Sequence, residues 1–179
     1  QLHQRGQGLP AAIAEIDDII SSTEDDVPGF RALRASLLFD TGERSAAIAE
    51  METLLDGELA ALERGRFQVV LARMLLRDGN TVGAQRLVDT VLETEPGQTE
   101  ALKMRAAWLI EGDDTDRAIQ TLRRALDESP EDAEAMTLMA SAYARAGNGE
   151  LAREFLSLAA EASGGAPQET IRYARVLIE

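Results

Sequence analysis

The sequence predicts an all-α fold of stacked helical hairpins, and three observations support this prediction. One series of alanines recurs every 34 residues, at Ala72, Ala106, Ala140 and Ala174. A second series keeps the same step, at Ala84, Ala118 and Ala152. A break that contains glycine separates the two alanines of each unit. Small residues at two fixed places in a unit of constant length are typical of a stacked array of helical hairpins.

The residues around these alanines keep helical spacing. Apolar or aromatic side chains follow the first alanine by three residues and the second by four: Leu75, Leu109, Tyr143 and Leu177, then Val88, Leu122 and Leu156. Such steps place side chains on one face of a helix. Glycine in breaks such as 78–80 and 147–149 accommodates the left-handed backbone that ends a helix, and Asp or Asn can cap the next one. Pro96 and Pro130 follow the second helix and resist its continuation. Each unit is therefore predicted to be helix, tight turn, helix.

The unit at 99–132 resembles the tetratricopeptide repeat family. That family has small residues at repeat positions 8 and 20, a large residue at 11, bulky residues at 4 and 24, and proline at 32. In this unit the small residues are Ala106 and Ala118, the large and bulky residues are Leu109, Leu102 and Leu122, and the proline is Pro130. The resemblance implies a right-handed superhelical solenoid of antiparallel hairpins, of about ten helices at this length. One departure is an arginine at the seventh repeat position, usually leucine, in Arg34 and Arg105. We expect each arginine to lay its stem along the apolar seam and pair with a neighbouring carboxylate.

The two alanine series also predict the repeat boundaries within a single array over residues 1–179. The second helix of a partial repeat is expected at 9–22, where Ala12, Ile16 and Ile19 keep the second-helix pattern. Repeats are expected at about 28–64, 65–98, 99–132 and 133–166, followed by a partial repeat at 167–179. The first complete repeat is longer than the others, because Ala35 and Ala47 lie 37 residues before their counterparts.

Both ends of the sequence interrupt a repeat. The segment Tyr173 to Glu179 parallels the first helix at Leu71 to Arg77, and its apolar residues are Val176, Leu177 and Ile178. The terminal repeat of such an array normally has a polar outer face. We expect either that the sequence is a fragment of a longer array or that this apolar last helix associates with another copy.

Composition and charge limit the kinds of partner and the location that we expect for the chain. The net charge of -14 disfavours nonspecific binding to nucleic acid or to an anionic membrane. No stretch approaches the roughly 20 apolar residues that span a bilayer, so this segment is not expected to insert into a membrane. The chain has no cysteine, which fits the cytoplasm or the periplasm, with any signal peptide outside this segment. Lys103 is the only lysine, and the preference for arginine favours a bacterial source.

The sequence offers little to catalysis. His3 is the only histidine, so a Ser-His-Asp triad or a multi-histidine metal site has too few residues. The acidic cluster at 113–116 lacks the glycine and the closing glutamate of a calcium loop. We interpret it as a turn whose acids cap the next helix. The prediction is a non-enzyme without catalytic, cofactor-binding or metal-binding residues.

The resemblance implies a peptide groove lined by the first helix of each repeat. The predicted groove residues are Arg66, Val69, Arg73, Leu76, Arg77, Lys103, Ala107, Ile110, Thr137, Ser141, Arg145 and Arg175. The same positions of the first complete repeat hold Gly29, Ala32, Ser36, Phe39 and Asp40. In the chain acids outnumber bases 32 to 18. Along the predicted groove-facing positions bases slightly outnumber acids, once Asp40, Glu100, Glu111 and Glu134 are counted with the residues above. Guanidinium groups bind carboxylates bidentately, so Arg66, Arg73 and Arg77 could receive an acidic segment. The alternative is that these arginines only balance acids on neighbouring helices.

The predicted function is a non-catalytic scaffold that binds a peptide or helix of a partner protein, with an acidic segment as one candidate ligand. One subclass of the family binds a C-terminal carboxylate through lysines and asparagines at set groove positions. At the ninth repeat position, where that subclass has an asparagine, this chain has Arg73, Ala107 and Ser141. The sequence therefore does not support that specific carboxylate site. Two other functions remain open. The chain could be a structural or oligomerisation segment of a longer solenoid, or the regulatory arm of a larger enzyme.

Overall fold

A computed structural model describes the backbone of residues 2–23 and 27–178 and the side chains of residues 8–23 and 27–174. Within these ranges the chain forms ten α-helices and no strand, so the all-α prediction is confirmed. The helices are α1 (Leu2–Ser22), α2 (Pro28–Thr41), α3 (Arg44–Asp56), α4 (Ala61–Arg77), α5 (Thr81–Thr94), α6 (Thr99–Glu111), α7 (Thr115–Glu128), α8 (Ala133–Arg145), α9 (Gly149–Ala162) and α10 (Pro167–Ile178).

The chain divides into two compact units, with the boundary inside α5 between Leu87 and Val88. In the first unit α2 packs on α1 and α3, and α4 packs on α3. In the second unit α6 packs on α7 and α8 packs on α9, while α7 packs on α8 and α9 on α10. The pairs α2/α3, α6/α7 and α8/α9 are hairpins that lie within predicted repeats. A single array over 1–179 stays a prediction.

Helix α1 is longer than the sequence pattern indicated. It begins at Leu2 and contains Pro10, whereas the prediction started a helix near that proline. Proline is favoured at the first helical position because it has no N–H to donate. In α1 it stands inside the helix, where it removes one backbone hydrogen bond. The apolar second-helix pattern still continues along α1, and Ile16 is buried.

The repeated alanines form the centre of the packing. Buried members of the two series, together with their counterparts in the first repeat, are Ala35, Ala47, Ala72, Ala84, Ala106, Ala118, Ala140 and Ala152. A methyl side chain at these places lets helices approach closely. Ala174 in α10 is the exception, because it is exposed. Larger side chains fill the space between the alanines, and those most completely buried include Met51, Leu54, Leu102, Leu122 and Met139.

The predicted turns and caps are present. Gly79 and Gly147 have positive φ of 91° and 78° between the helices of their repeats. In the turn between α6 and α7 a non-glycine residue, Asp113, takes the left-handed conformation with φ 59°. The side chain of Asp114 then accepts a hydrogen bond from the Arg117 N–H at 3.4 Å and caps α7. The interpretation of this acidic cluster as a helix cap is therefore confirmed.

The two arginines that replace the usual leucine pair with neighbouring carboxylates, as predicted. Arg34 pairs with Asp17 of α1 and with Glu50 of α3, the latter at 2.6 Å. Burial opposes the charge on Arg34, but the hydrogen bonds and charges of both carboxylates prevail and raise its pKa. Arg105 pairs with Asp89. Both arginines therefore join neighbouring helices through ion pairs.

Candidate functional site

A pocket opens between α2 and α4, which are the first helices of two successive repeats. Its volume is about 180 Å³. It is lined by Ser36, Phe39 and Asp40 of α2 and by Val70, Arg73, Met74 and Arg77 of α4. Five of these seven residues occupy positions that the sequence assigned to the groove. The helical hairpins position them because α2 and α4 both pack on α3, and thereby lie side by side.

The aromatic wall of this pocket is Phe39. Its side chain is only 2% exposed, and two guanidinium groups lie over its ring. The Cζ atom of Arg77 is 4.9 Å from the ring centroid, and that of Arg44 is 5.5 Å away. Both distances are within the range of a cation–π interaction. The ring therefore holds positive charge at one side of the pocket.

An ion pair stands at the rim of the same pocket. Arg77 Nη1 donates to Asp40 Oδ1 at 2.8 Å, with side chains 60% and 48% exposed. Because both groups face water, we expect this pair to contribute only about 0.2–1 kcal/mol to stability. Arg44 lies 3.7 Å from Asp78 in a looser pair. Two arginines and one aspartate thus line the pocket, in a chain of net charge -14.

The predicted groove residues of α4 divide between surface and core. Arg66, Arg73, Leu76 and Arg77 are exposed, whereas Val69 is buried at 3% and faces the core. The sequence reasoning missed two pocket residues of α4, which are Val70 and Met74. Together with the two arginines of the lining they follow steps of three, four and seven residues. That helical spacing is the signal that could have identified them.

Lys103 lies inside a cluster of carboxylates in the second unit. It is only 6% exposed, and its Nζ atom is 2.8 Å from Glu100, 2.9 Å from Asp132 and 2.7 Å from Glu134. These contacts join α6 to the start of α8. The sequence placed Lys103 in the groove as a positive charge for a ligand, but the structure uses that charge to satisfy acids of the chain itself.

Asp132 has two partners in this cluster. Its side chain accepts from the Ala135 N–H at 2.9 Å as the N-cap of α8, and it also accepts from Lys103. Burial disfavours the charged carboxylate, but the backbone hydrogen bond and Lys103 outweigh it and lower the pKa of Asp132. The negative charge of Asp132 is therefore part of the folded state.

Arg145 caps the end of a neighbouring helix. Its Nη1 atom donates to the carbonyl of Ile110 at 2.7 Å and to Asp113 at 2.6 Å. The last carbonyls of a helix have no partner within that helix, so a guanidinium at the end of α6 satisfies one of them. Arg145, like Arg77, thus pairs with an acid of the preceding repeat, as expected for arginines that balance charges on neighbouring helices.

Apart from Arg175, the remaining predicted groove residues of the second unit are uncharged. Ile110 and Thr137 are buried, Ala107 is half-buried and Ser141 is exposed. The Thr137 and Ser141 hydroxyls donate to backbone carbonyls one turn earlier in α8. The side chain of Arg175 lies outside the described residues, as do those of Val176 to Ile178, so self-association through α10 stays a prediction.

Among the residues that the structure describes, no group of three acidic side chains could hold a metal ion. None of the helices in this part of the chain is long and apolar enough to cross a membrane.

Comparison with known sequences and structures identifies the fold. Residues 109–178 match the family model for the tetratricopeptide repeat. No curated protein sequence matches the chain.

Solved structures resemble the chain over most of its length. YrrB, described as a TPR protein with an unusual peptide-binding site, has a TM-score of 0.62 at 17% identity, covering 97% of this chain and 87% of that chain. A MamA segment from Desulfovibrio magneticus RS-1 has a TM-score of 0.64 at 14% identity, covering 92% and 90%. The type III secretion translocator chaperone SycD of Yersinia enterocolitica has a TM-score of 0.55 at 16% identity, covering 64% and 86%. At such identities the likeness shows a shared fold. Residues 109–178 therefore match the tetratricopeptide repeat family by sequence, and over most of its length the chain shares the fold of tetratricopeptide repeat proteins.

Proposed function

We propose that this protein is a non-catalytic scaffold that binds an acidic segment of a partner protein. The binding surface is formed by α2 and α4, the first helices of the first two complete repeats. The observation that carries the proposal is the pocket between α2 and α4. It combines an aromatic wall, apolar side chains and guanidinium groups. The fold supports this role, because stacked helical hairpins present extended surfaces for binding. YrrB, with the same fold, is described as having a peptide-binding site.

Charge is the reason to expect an acidic segment. The chain as a whole is strongly negative, so it repels acidic partners at most of its surface. The exposed Arg66, Arg73 and Arg77 follow one another along one face of α4, and the last two line the pocket. Guanidinium groups bind carboxylates through short, charge-assisted hydrogen bonds. Val70 and Met74 add an apolar wall for a neighbouring aliphatic or aromatic side chain.

A defined peptide tests this proposal. The probe is a fluorescein-labelled peptide of alternating glutamate and leucine, and the measurement is fluorescence anisotropy at low and high salt. The variant changes Arg66, Arg73 and Arg77 to glutamate. We expect its affinity for the probe to fall by about tenfold or more, because three attractive charges become repulsive. Binding by the unchanged protein should weaken as salt rises.

A matched variant controls for the change in net charge. It changes Arg117, Arg123 and Arg153 to glutamate, three exposed arginines of the second unit. We expect this control to keep most of the affinity of the unchanged protein. Equal loss in both variants, or an unchanged affinity in the α4 variant, would contradict a site on α4. A chain that binds no acidic probe at low salt would contradict the acidic ligand.

A further inference from the structure

We infer that Asp40 is an internal competitor at the pocket, which occupies Arg77 until a ligand carboxylate replaces it. This inference rests on the proposed function and assigns to one residue the control of affinity at that site. Asp40 and Arg77 both line the pocket, and they pair with each other at 2.8 Å. A carboxylate that enters the pocket therefore meets a guanidinium that another carboxylate already holds.

The geometry of the pair makes exchange feasible. The contact joins one nitrogen of Arg77 to one oxygen of Asp40, whereas guanidinium binds carboxylate most strongly through two parallel hydrogen bonds. Both side chains are about half exposed, so a ligand can reach the pair from solvent. A ligand carboxylate that approaches in the bidentate orientation would make the better pair and displace Asp40.

Phe39 keeps Arg77 in place during such an exchange. The guanidinium lies over the buried ring, 4.9 Å from its centroid, in a contact that does not itself involve Asp40. A cation held against an aromatic face loses less conformational freedom when it binds a new partner. Arg77 is thus positioned by the ring, while Asp40 supplies only the competing charge.

Asp40 is poorly placed to stabilise its own helix. It lies at the last turn of α2, which ends at Thr41, and a negative charge near a helix C-terminus is unfavourable. Its exposed ion pair offsets little. The structural role of this carboxylate is therefore small, and Asp40→Asn should preserve the fold while it releases Arg77.

The experiment compares Asp40→Asn with the unchanged protein, using the same labelled Glu-Leu peptide and a Gln-Leu peptide of equal length. We expect the affinity for the acidic peptide to rise by about two- to fivefold, which is the worth of an exposed ion pair. The affinity for the neutral peptide should not change. Adding Arg77→Gln to Asp40→Asn should abolish the gain, because the gain acts through Arg77.

Asp113→Asn is the matched control. Asp113 also pairs with an arginine of the next repeat, Arg145, at 2.6 Å, and asparagine tolerates its left-handed backbone. We expect this control to leave peptide affinity unchanged. Thermal unfolding of every variant verifies that the fold persists.

The outcomes separate the inference from the proposed function. If the acidic peptide binds through the α4 arginines but Asp40→Asn binds it no more tightly, competition by Asp40 is overturned and the scaffold proposal stands. A gain that is equal for the neutral peptide, or that survives Arg77→Gln, also overturns it. If no variant binds the acidic peptide, both the inference and the acidic ligand fail.

Discussion

The contact between α2 and α4 in the first unit and the contact between α6 and α8 in the second use the same repeat positions with different chemistry. In the first, Arg77 lies over Phe39 and pairs with exposed Asp40, beside an open pocket. In the second, Arg145 donates to the backbone carbonyl of Ile110, and Lys103 is buried among three carboxylates. The charges of the first contact are exposed to solvent, whereas the second contact buries the charge of Lys103 within the fold.

The difference shows that a positive charge on a first helix does not by itself indicate a ligand site. Burial separates Lys103 from the arginines of both contacts, because Lys103 is 6% exposed whereas the side chains of Arg77 and Arg145 are 60% and 47% exposed. A half-exposed ion pair exchanges partners at little cost, because water and ions can replace either group. A buried ammonium held by three carboxylates cannot be released without leaving charges unpaired. The two contacts should therefore respond oppositely to substitution, with loss of stability in one and changed binding in the other.

The largest expected effect follows the loss of Lys103. Lys103→Met removes the cation from its cluster and leaves the half-buried Asp132 and its acidic neighbours facing one another. We expect the free energy of unfolding to fall by about 2–3 kcal/mol, below the value for a fully buried pair because Glu134 is largely exposed. Urea denaturation followed by circular dichroism measures it. A loss no larger than that of Arg77→Gln would mean that the two contacts do not differ.

Ala106→Leu tests the packing that both contacts share. Ala106 is fully buried, so a larger side chain has no space and should cost about 1–3 kcal/mol. Ala174→Leu is the matched control, since Ala174 belongs to the same alanine series but is exposed. Its effect should stay within about 0.5 kcal/mol. Denaturation midpoints of the two variants provide the comparison, and equal midpoints would refute the assigned register.

Asp132 gives the second contact a pH dependence. Because the pKa of Asp132 is lower in the folded protein, its carboxylate stabilises the fold fully at pH above the ordinary value of about 4. That stabilisation disappears as the pH falls through the lowered pKa. Asp132→Asn should cost about 1–2 kcal/mol at neutral pH, through loss of charge-assisted bonds to Lys103 and the α8 cap.

Unfolding free energies measured from pH 7 to pH 3 verify this effect. The difference between the unchanged protein and Asp132→Asn should shrink toward acid pH. Asp40→Asn is measured over the same pH range as a control substitution at an exposed site. A difference that is constant with pH would show that the charge of Asp132 contributes nothing.

The repeat pattern predicted those features that depend on residues within one hairpin. The buried alanines, the glycine turns and the capping role of Asp114 all follow from local spacing. The pairing of Arg34 was predicted as well, because an arginine on an apolar seam must find a carboxylate nearby. The buried alanines recur in all four complete repeats, so each copy supports the others.

Contacts between repeats were harder to predict. Lys103 meets Asp132 and Glu134, which lie 29 and 31 residues later in the chain. A pattern aligned on single repeats assigns Lys103 to an outward position and cannot show that the next helix brings two acids over it. Val69 was placed outward for the same reason, although α4 turns it to the core. The pocket residues Val70 and Met74 depend likewise on how α4 lies against α2.

Arg77→Gln has the smallest expected effect on stability. It tests the α2/α4 contact, where we expect a substitution to change binding more than stability. The substitution removes an ion pair whose groups are about half exposed, so the free energy of unfolding should fall by less than about 1 kcal/mol. The affinity for the acidic peptide should nevertheless decrease, because the guanidinium over Phe39 is lost. Arg145→Gln should show the reverse, with a larger loss of stability and unchanged peptide binding, since Arg145 satisfies a helix-end carbonyl. Denaturation and anisotropy on the same two proteins give both quantities. If Arg77→Gln changed stability but not peptide affinity, the charge of Arg77 would have a structural role like that of Lys103, and the comparison would fail.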